Sequence, residues 1–118
     1  MSKNSPEITL YHNPKCSKSR QTLALIEEKN PAVIEYLKTP PTPKRLGQIL
    51  NMLGLQPREL MRKREQVYTD LHLDNEALSR EALINIMVEN PILIERPIVV
   101  ANNTARIGRP PEAVLEII

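Results

Sequence analysis

The stretch that most constrains the fold lies near the start of the chain, where a strand, a helix and a second strand are predicted in succession. Residues 8–11 are rich in β-forming side chains, and Asn13-Pro14 ends that run. From Ser17 the apolar spacing becomes helical, and residues 32–37 have strand character again. A strand–helix–strand unit favours a right-handed crossover and parallel pairing. The sequence therefore predicts an α/β fold that starts with a β-α-β unit.

The middle of the chain, about residues 42–90, is predicted to be helical. Thr42 before Pro43 is typical of a helix start, and Gly54 is typical of a helix end. The apolar stripe of that helix is Leu46, Ile49, Leu50 and Leu53. Further helices are expected after Pro57, over residues 65–71, and after Ser79 up to Asn90.

Strand character returns after this helical stretch. Residues 97–100 and residues 105–108 predict a hairpin, with its turn at Asn102-Asn103. A final helix is expected from Pro110. Its apolar positions are Val114, Leu115 and Ile118. The order β-α-β, helical insertion, β-β-α predicts a thioredoxin-like fold with a mixed central sheet, as a single domain over residues 1–118 with the insertion at about 42–90.

The only cysteine, Cys16, lies where the first predicted strand gives way to the first helix. Lys15, Lys18 and Arg20 are close to it in sequence. Unpaired N–H groups and the positive end of a helix dipole would favour the thiolate, which is the nucleophilic form. The alternative is a small buried apolar residue, a common role of a lone cysteine. The polar, cationic surroundings favour a nucleophile that acts on an anion.

Composition excludes several other function classes. The net charge of +2 over 118 residues, with basic residues spread along the chain, argues against a nucleic-acid binder. No apolar run approaches the ~20 residues of a membrane span, and the first residues lack the apolar core of an export signal. A single cysteine forms no internal disulfide, which fits a reducing cytoplasm. One cysteine and two distant histidines predict no metal site, and we expect a monomer without a bound cofactor.

A series of motifs in fixed order resembles the glutaredoxin-coupled arsenate reductase family along nearly the whole chain. These motifs are YHNPKCSKSR at residues 11–20, YLKTPPT at 36–42, LMRK at 60–63, NPILIERPIVV at 90–100 and RP at 109–110. The resemblance implies a thioredoxin-like fold with a helical insertion. It also implies a cytoplasmic enzyme of arsenic detoxification that reduces arsenate to arsenite, with glutathione as co-substrate and glutaredoxin as partner.

The resemblance also assigns roles to individual residues. Cys16 matches the family's nucleophile, and Arg62, Arg96 and Arg109 match its oxyanion-binding arginines. His12 matches a histidine close to the nucleophile. Pro97 matches the cis-proline that faces the active-site turn in thioredoxin-like folds.

Residue chemistry is compatible with these roles but allows others. Guanidinium groups suit a tetrahedral dianion, although any single arginine is more often a surface residue. Arg96 and Arg109 each precede a proline, which restricts their backbones to extended conformations. His12 could perturb the cysteine pKa or merely hydrogen-bond at the strand end. Ser19 stands where a dithiol enzyme carries its second cysteine, so the resolving thiol must come from outside the chain. Its hydroxyl, and the backbone N–H groups of residues 17–19, are expected to hydrogen-bond the oxyanion or the thiolate.

Two other functions remain open at the level of sequence. A related thiol-dependent oxidoreductase, or a glutathione-binding redox protein, would use the same residues on a different substrate. An Spx-type transcriptional regulator would share the fold, but such proteins typically sense oxidation through Cys-x-x-Cys, and Ser19 replaces the second cysteine. A phosphatase-like loop with arginine six residues after cysteine is excluded, because that position is Thr22.

Overall fold

The structure is a computed structural model that describes residues 7–118. Its strands are β1 (Thr9–His12), β2 (Ala32–Glu35), β3 (Ile98–Ala101) and β4 (Thr104–Ile107). Its α-helices are α1 (Ser17–Ile26), α2 (Pro43–Leu53), α3 (Gln66–Asp70) and α4 (Arg80–Glu89). The 3-10 helices are Glu27–Lys29, Pro57–Leu60, Pro91–Leu93 and Pro111–Ile117. This order confirms the predicted mixed α/β class and its β-α-β, helical, β-β-α sequence of elements.

The four strands form one mixed sheet in the order β2-β1-β3-β4. β1 and β2 are parallel, with Tyr11 opposite Ile34, so the predicted crossover unit is confirmed. β3 is antiparallel to β1 and to β4. The β3–β4 turn consists of Asn102 and Asn103 at φ 55° and 61°, which is the left-handed backbone that a two-residue hairpin turn requires. All four β3 residues are buried, as expected for a central strand covered on both faces.

The chain divides into two compact units, and the first contains the sheet. It comprises residues 7–39 together with Arg96–Ile118. Its core is aliphatic, because the chain has neither Phe nor Trp. The buried core residues are Ile8, Leu10, Ile26, Val99, Ala101, Val114 and Ile117. The 3-10 helix Pro111–Ile117 packs against α1 and β4.

That C-terminal 3-10 helix differs in part from the prediction. Leu115, expected on the apolar face, is exposed, whereas Pro111, Val114 and Ile117 are buried. These buried positions are three residues apart. A 3-10 helix has three residues per turn, so this spacing places them on one face.

The second unit, Pro40–Glu95, contains α2, α3 and α4. The Thr42 side chain caps α2 by accepting the Arg45 N–H at 3.1 Å, and Gly54 ends it at φ 72°, both as predicted. Ser79 caps α4 in the same way through the Ala82 N–H. α2 packs against α4. The assignment of all 118 residues to a single domain stays a prediction.

No helix within residues 7–118 is long and apolar enough to cross a membrane.

Candidate active site

Cys16 is held by a tight turn between β1 and α1. The turn is closed by the Cys16 N–H, which donates to the Asn13 carbonyl at 3.0 Å. Pro14 supplies the fixed φ that the second turn position favours. The Asn13 side chain accepts the Lys15 N–H at 3.0 Å, and the Arg20 guanidinium donates to the Pro14 carbonyl at 2.9 Å. The sequence analysis did not predict either of these two hydrogen bonds, although Asn before Pro is itself a turn signal.

The turn makes Cys16 the N-cap residue of α1. Its backbone is extended (φ −98°, ψ 124°), and its carbonyl accepts the Arg20 N–H at 3.0 Å as the first bond of the helix. Residues Ser17, Lys18 and Ser19 form the first helical turn, where N–H groups lack partners within the helix. The thiol is buried, with 8% of the residue exposed. The predicted position at a helix start is therefore confirmed.

The surroundings of Cys16 hold the pKa of its thiol below the ordinary value. Burial acts in the opposite direction and raises the pKa. Three groups outweigh it: the Ser19 N–H, the Arg96 side chain through both a hydrogen bond and its charge, and the Lys18 N–H. Each of these stabilises the thiolate relative to the thiol. Cys16 is thus chemically suited to nucleophilic attack.

Arg96 and Arg109 both belong to the same unit as Cys16. Arg109 Nη2 lies 3.8 Å from Cys16 Sγ, within hydrogen-bond range for sulfur, and Arg109 Nε donates to the Arg96 carbonyl at 2.8 Å. The Arg96 backbone carbonyl therefore helps to orient the Arg109 guanidinium. Arg96 is partly buried and Arg109 is exposed. Together they bring two cationic groups to the sulfur.

Both arginines precede cis-prolines. The Arg96–Pro97 bond is cis, as the resemblance implied, and the Arg109–Pro110 bond is also cis, which sequence reasoning did not predict. Pro97 is buried, and its carbonyl accepts the Gly108 N–H at 2.9 Å. This bond joins the start of β3 to the end of β4, so the two arginine-bearing segments support one another.

Arg62 lies in the second unit, and a local ion pair engages its charge. Arg62 Nη1 is 3.2 Å from Glu65 Oε2, and about a quarter of each side chain is exposed (26% and 25%). The Arg62 N–H also donates to the Leu93 carbonyl at 2.7 Å. The sequence did not indicate this pairing. The role of Arg62 in oxyanion binding stays a prediction.

The Ser19 hydroxyl has contacts that the sequence did not indicate. Its side chain is fully buried, and its Oγ lies 2.6 Å from His12 Nδ1 while accepting the Asn13 N–H at 3.0 Å. The hydroxyl has two partners within the turn, and its hydrogen bond to the oxyanion or the thiolate stays a prediction. The Ser19 backbone N–H does act on the thiolate, as predicted.

His12 is buried behind this serine. Burial lowers the pKa of the imidazole, the nearby Glu35 carboxylate raises it, and the Arg20 charge lowers it, so that the net pKa lies below its ordinary value. The ring is accordingly neutral at neutral pH. The contact between Nδ1 and Ser19 Oγ ties the imidazole to the turn that carries Cys16. His12 therefore has a structural role in holding that turn.

No group of three or more His, Cys, Asp and Glu side chains within residues 7–118 is placed to bind a metal ion.

Comparison with known proteins now identifies the family. The model of the ArsC family matches residues 11–117. The chain belongs to the ArsC family. Among ArsC-family relatives, the protein YfgD of Escherichia coli K12 is 55% identical over 95% of this chain and 97% of its own length. A Neisseria meningitidis serogroup A protein named arsenate reductase is 48% identical, over 91% of this chain and 94% of its own.

Solved structures agree with this assignment. The structure of an arsenate reductase from Vibrio cholerae superposes with a TM-score of 0.92 at 52% identity, covering 98% of this chain and all of that one (100%). The thioredoxin-like fold expected from the order of elements is therefore confirmed for this ArsC-family member.

Proposed function

We propose that this protein is an arsenate reductase that works through a Cys16 thiolate, with glutathione and glutaredoxin as reductants. The observation that carries the proposal is the setting of that thiol. Cys16 lies at the N-terminus of α1, the Arg96 charge and two backbone N–H groups stabilise its thiolate, and Arg109 Nη2 is 3.8 Å from Sγ. Relatives that bear the name arsenate reductase, at 48% identity over nearly their whole length, support the choice of substrate.

Substrate binding follows from charge. Arsenate near neutral pH is largely a tetrahedral dianion, and a dianion that enters a partly buried site needs compensating positive charge. Arg96 and Arg109 supply two permanently protonated guanidinium groups beside the sulfur. The first N–H groups of α1 add further donors for oxygen atoms that approach Cys16. The arsenic atom is thereby held near the nucleophile.

The reaction then balances with two external thiols. Attack of Cys16 on arsenic expels one arsenate oxygen as water and forms a sulfur–arsenic bond without change of oxidation state. Glutathione condenses with this adduct, releases a second water and leaves arsenic bonded to both sulfurs. A glutaredoxin thiolate next attacks the glutathione sulfur, so the electron pair of the sulfur–arsenic bond stays on arsenic and reduces it from As(V) to As(III). Hydrolysis releases arsenite and regenerates Cys16.

The need for an external reductant is visible in the sequence. Cys16 is the only cysteine, and Ser19 stands three residues later, with its hydroxyl committed to His12 and Asn13. No disulfide can form within the chain, so thiols from outside it must complete the cycle, and glutathione and glutaredoxin are the donors proposed here. We place this chemistry in the cytoplasm, where a reducing thiol pool keeps Cys16 available.

The test is a coupled assay that follows NADPH consumption with arsenate, glutathione, glutathione reductase and glutaredoxin. Wild type should consume NADPH only when arsenate is present, and Cys16→Ser should show no activity while its circular dichroism spectrum is unchanged. Arg106→Gln is the matched control for arginine substitutions, because Arg106 lies on β4 and pairs with Glu116 at 3.1 Å. Arsenate-dependent turnover by Cys16→Ser would disprove the mechanism.

The Arg62–Glu65 ion pair favours a second candidate function. Glu65 already balances the charge of Arg62, and this suits a thiol-dependent oxidoreductase whose substrate carries less charge than arsenate. The same assay separates the two candidates. NADPH consumption independent of arsenate, or absent with arsenate but present with another glutathione-linked substrate, would favour this alternative.

A further inference from the structure

A groove lies at the carboxyl ends of β1 and β2 and is not used by the residues that face the Cys16 sulfur. Its volume is about 310 Å³, at the lower end of the ~300–1,000 Å³ typical of small-molecule sites. His12 and Glu35, the last residues of the two parallel strands, both line it and are opposite each other in the sheet register. Ligands of α/β sheets bind preferentially at the carboxyl ends of parallel strands. The groove therefore has the position of a ligand site.

The walls of the groove combine apolar surface with charges of both signs. Pro14 and Leu37 supply apolar surface, and Leu37 is 42% exposed, which leaves an aliphatic side chain open to solvent. Lys15 and Lys38 supply two ammonium groups, and Glu35 supplies one carboxylate. Lys38 Nζ is 3.4 Å from Glu35 Oε1, with 80% and 43% of the two side chains exposed. Such an exposed pair is weak and a ligand can replace it at little cost.

The groove and the nucleophile share one turn. Pro14 and Lys15 line the groove, and Cys16 follows them directly. Two hydrogen bonds hold the turn in place, one to the Asn13 side chain and one from the Arg20 guanidinium. A ligand seated against Pro14 and Lys15 is therefore held beside a fixed part of the active site.

We propose that this groove is the binding site for glutathione. The proposal rests on the function proposed above, to which it adds a place for the second substrate. Glutathione carries two carboxylates and one ammonium, which match the two lysines and Glu35 in number and sign. Its peptide and methylene groups suit the apolar surface of Pro14 and Leu37. Glutathione held here approaches Cys16 from the β2 side of β1. Arg96 precedes β3 and Arg109 follows β4, and both of these strands lie on the other side of β1, so the anion and the thiol donor do not compete for the same groups.

The first experiment compares Lys38→Glu with Lys29→Glu in the coupled assay. Lys29 is an exposed lysine of the same unit that does not line the groove, so Lys29→Glu controls for the change in net charge. Lys38→Glu should raise the KM for glutathione about three- to tenfold, since it replaces one exposed attraction by a repulsion of similar size. The KM for arsenate should stay unchanged in both variants. An unchanged KM for glutathione in Lys38→Glu would overturn the proposal.

Esterified glutathione tests the charge match from the side of the ligand. Glutathione diethyl ester lacks both carboxylates, so wild type should use it with a higher KM than glutathione, and Lys38→Glu should no longer differ from wild type with the ester. If Lys38→Glu impairs use of the ester as strongly as use of glutathione, Lys38 does not contact a carboxylate and the proposed binding mode is wrong.

A binding measurement that needs no turnover separates this proposal from the proposed function. S-methylglutathione, which cannot react, is titrated into ¹⁵N-labelled wild type, and backbone amide shifts are mapped. Shifts confined to the turn at residues 13–16 and to Leu37 and Lys38 would support the groove even if arsenate proved not to be reduced. Shifts centred instead on Arg96 and Gly108, or none at millimolar ligand, would overturn it. Turnover with glutaredoxin that persists without any shift in the groove would show that glutathione binds elsewhere while the arsenate reductase activity stands.

Discussion

The two arginines beside Cys16 should affect its reactivity through different physical routes. Arg96 is partly buried and lowers the pKa of the thiol through a hydrogen bond and its charge. Arg109 is exposed, and its Nη2 lies 3.8 Å from the sulfur. Charge interactions through solvent are screened by salt, and those shielded by protein are screened much less. Salt should therefore distinguish Arg96→Gln from Arg109→Gln.

The expected size of the Arg109 effect follows from its distance to the sulfur. At 3.8 Å, two unit charges in a water-like dielectric attract by about 1 kcal/mol. The Arg109 side chain is exposed but its contact with the buried sulfur is part-buried, so this figure is a lower bound. About 1 kcal/mol corresponds to roughly a fivefold change in the thiolate fraction at a pH below the titration midpoint. Arg109→Gln should thus react at least about five times more slowly than wild type at low salt.

High salt should reduce that difference. At about 1 M salt the Debye length is ~3 Å, so salt screens the charge of the exposed Arg109 side chain and the difference between wild type and Arg109→Gln should become smaller. Arg96→Gln should be slowed at low salt and remain slowed at high salt, because part of its effect is a hydrogen bond in a partly buried setting. In both variants the midpoint of the pH profile should move upward.

The assay is alkylation by iodoacetamide, a neutral reagent whose own approach salt does not steer. One cysteine gives one product, which intact-mass spectrometry quantifies over time and pH. Arg106→Gln removes a positive charge of the same unit that is paired with Glu116, and it should react as wild type does. Alkylation of Arg96→Gln at the wild-type rate across the pH range, or an Arg109 effect that salt leaves unchanged, would refute this account of the thiolate.

Three further predictions concern the turn and the helices. Ser19→Ala should lower the free energy of unfolding by about 1–3 kcal/mol, because His12 Nδ1 and the Asn13 N–H lose a buried partner, and urea denaturation that shows no loss would contradict this. Burial is the main cause that lowers the pKa of His12 in the folded chain, so below about pH 6.5 the unfolded chain binds the proton more readily than the folded chain. The free energy of unfolding should therefore fall as the pH drops below about 6.5, and His12→Asn should make that decline less steep. Gly54 has φ 72°, so Gly54→Ala should lower the free energy of unfolding by about 1–2 kcal/mol. Gly47 lies inside α2 with room for a methyl group, so Gly47→Ala should raise the free energy of unfolding by about 0.5–1 kcal/mol. Equal effects of the two substitutions in thermal unfolding would contradict the assigned backbone.

Fold elements were predictable where their signals are local. Thr42 and Gly54 mark the two ends of α2 because a side-chain cap and a left-handed terminal residue depend only on neighbouring backbone groups. The Asn102-Asn103 turn is readable for the same reason. The C-terminal helix was harder, because apolar residues at 114, 115, 117 and 118 fit either period. Which of them are buried depends on packing against α1 and β4, and that packing favours the 3-10 spacing.

In the active site, too, the features set by neighbouring residues were predictable, and those set by tertiary contacts were not. Cys16 was predictable as a helix N-cap because strand, turn and helix follow one another directly in sequence. The contacts of the Ser19 hydroxyl could not be predicted from sequence, because a hydroxyl three residues after a nucleophile can face either the substrate or the turn. The structure decides between these by burying Ser19 between His12 and the Asn13 N–H. The Ser19 and Lys18 N–H groups stabilise the thiolate locally, and the site also depends on arginines that lie more than seventy residues later in the sequence. The pKa of Cys16 is therefore a property of the assembled sheet, because an isolated peptide of the turn and α1 would keep the helix N–H groups but lose Arg96 and Arg109.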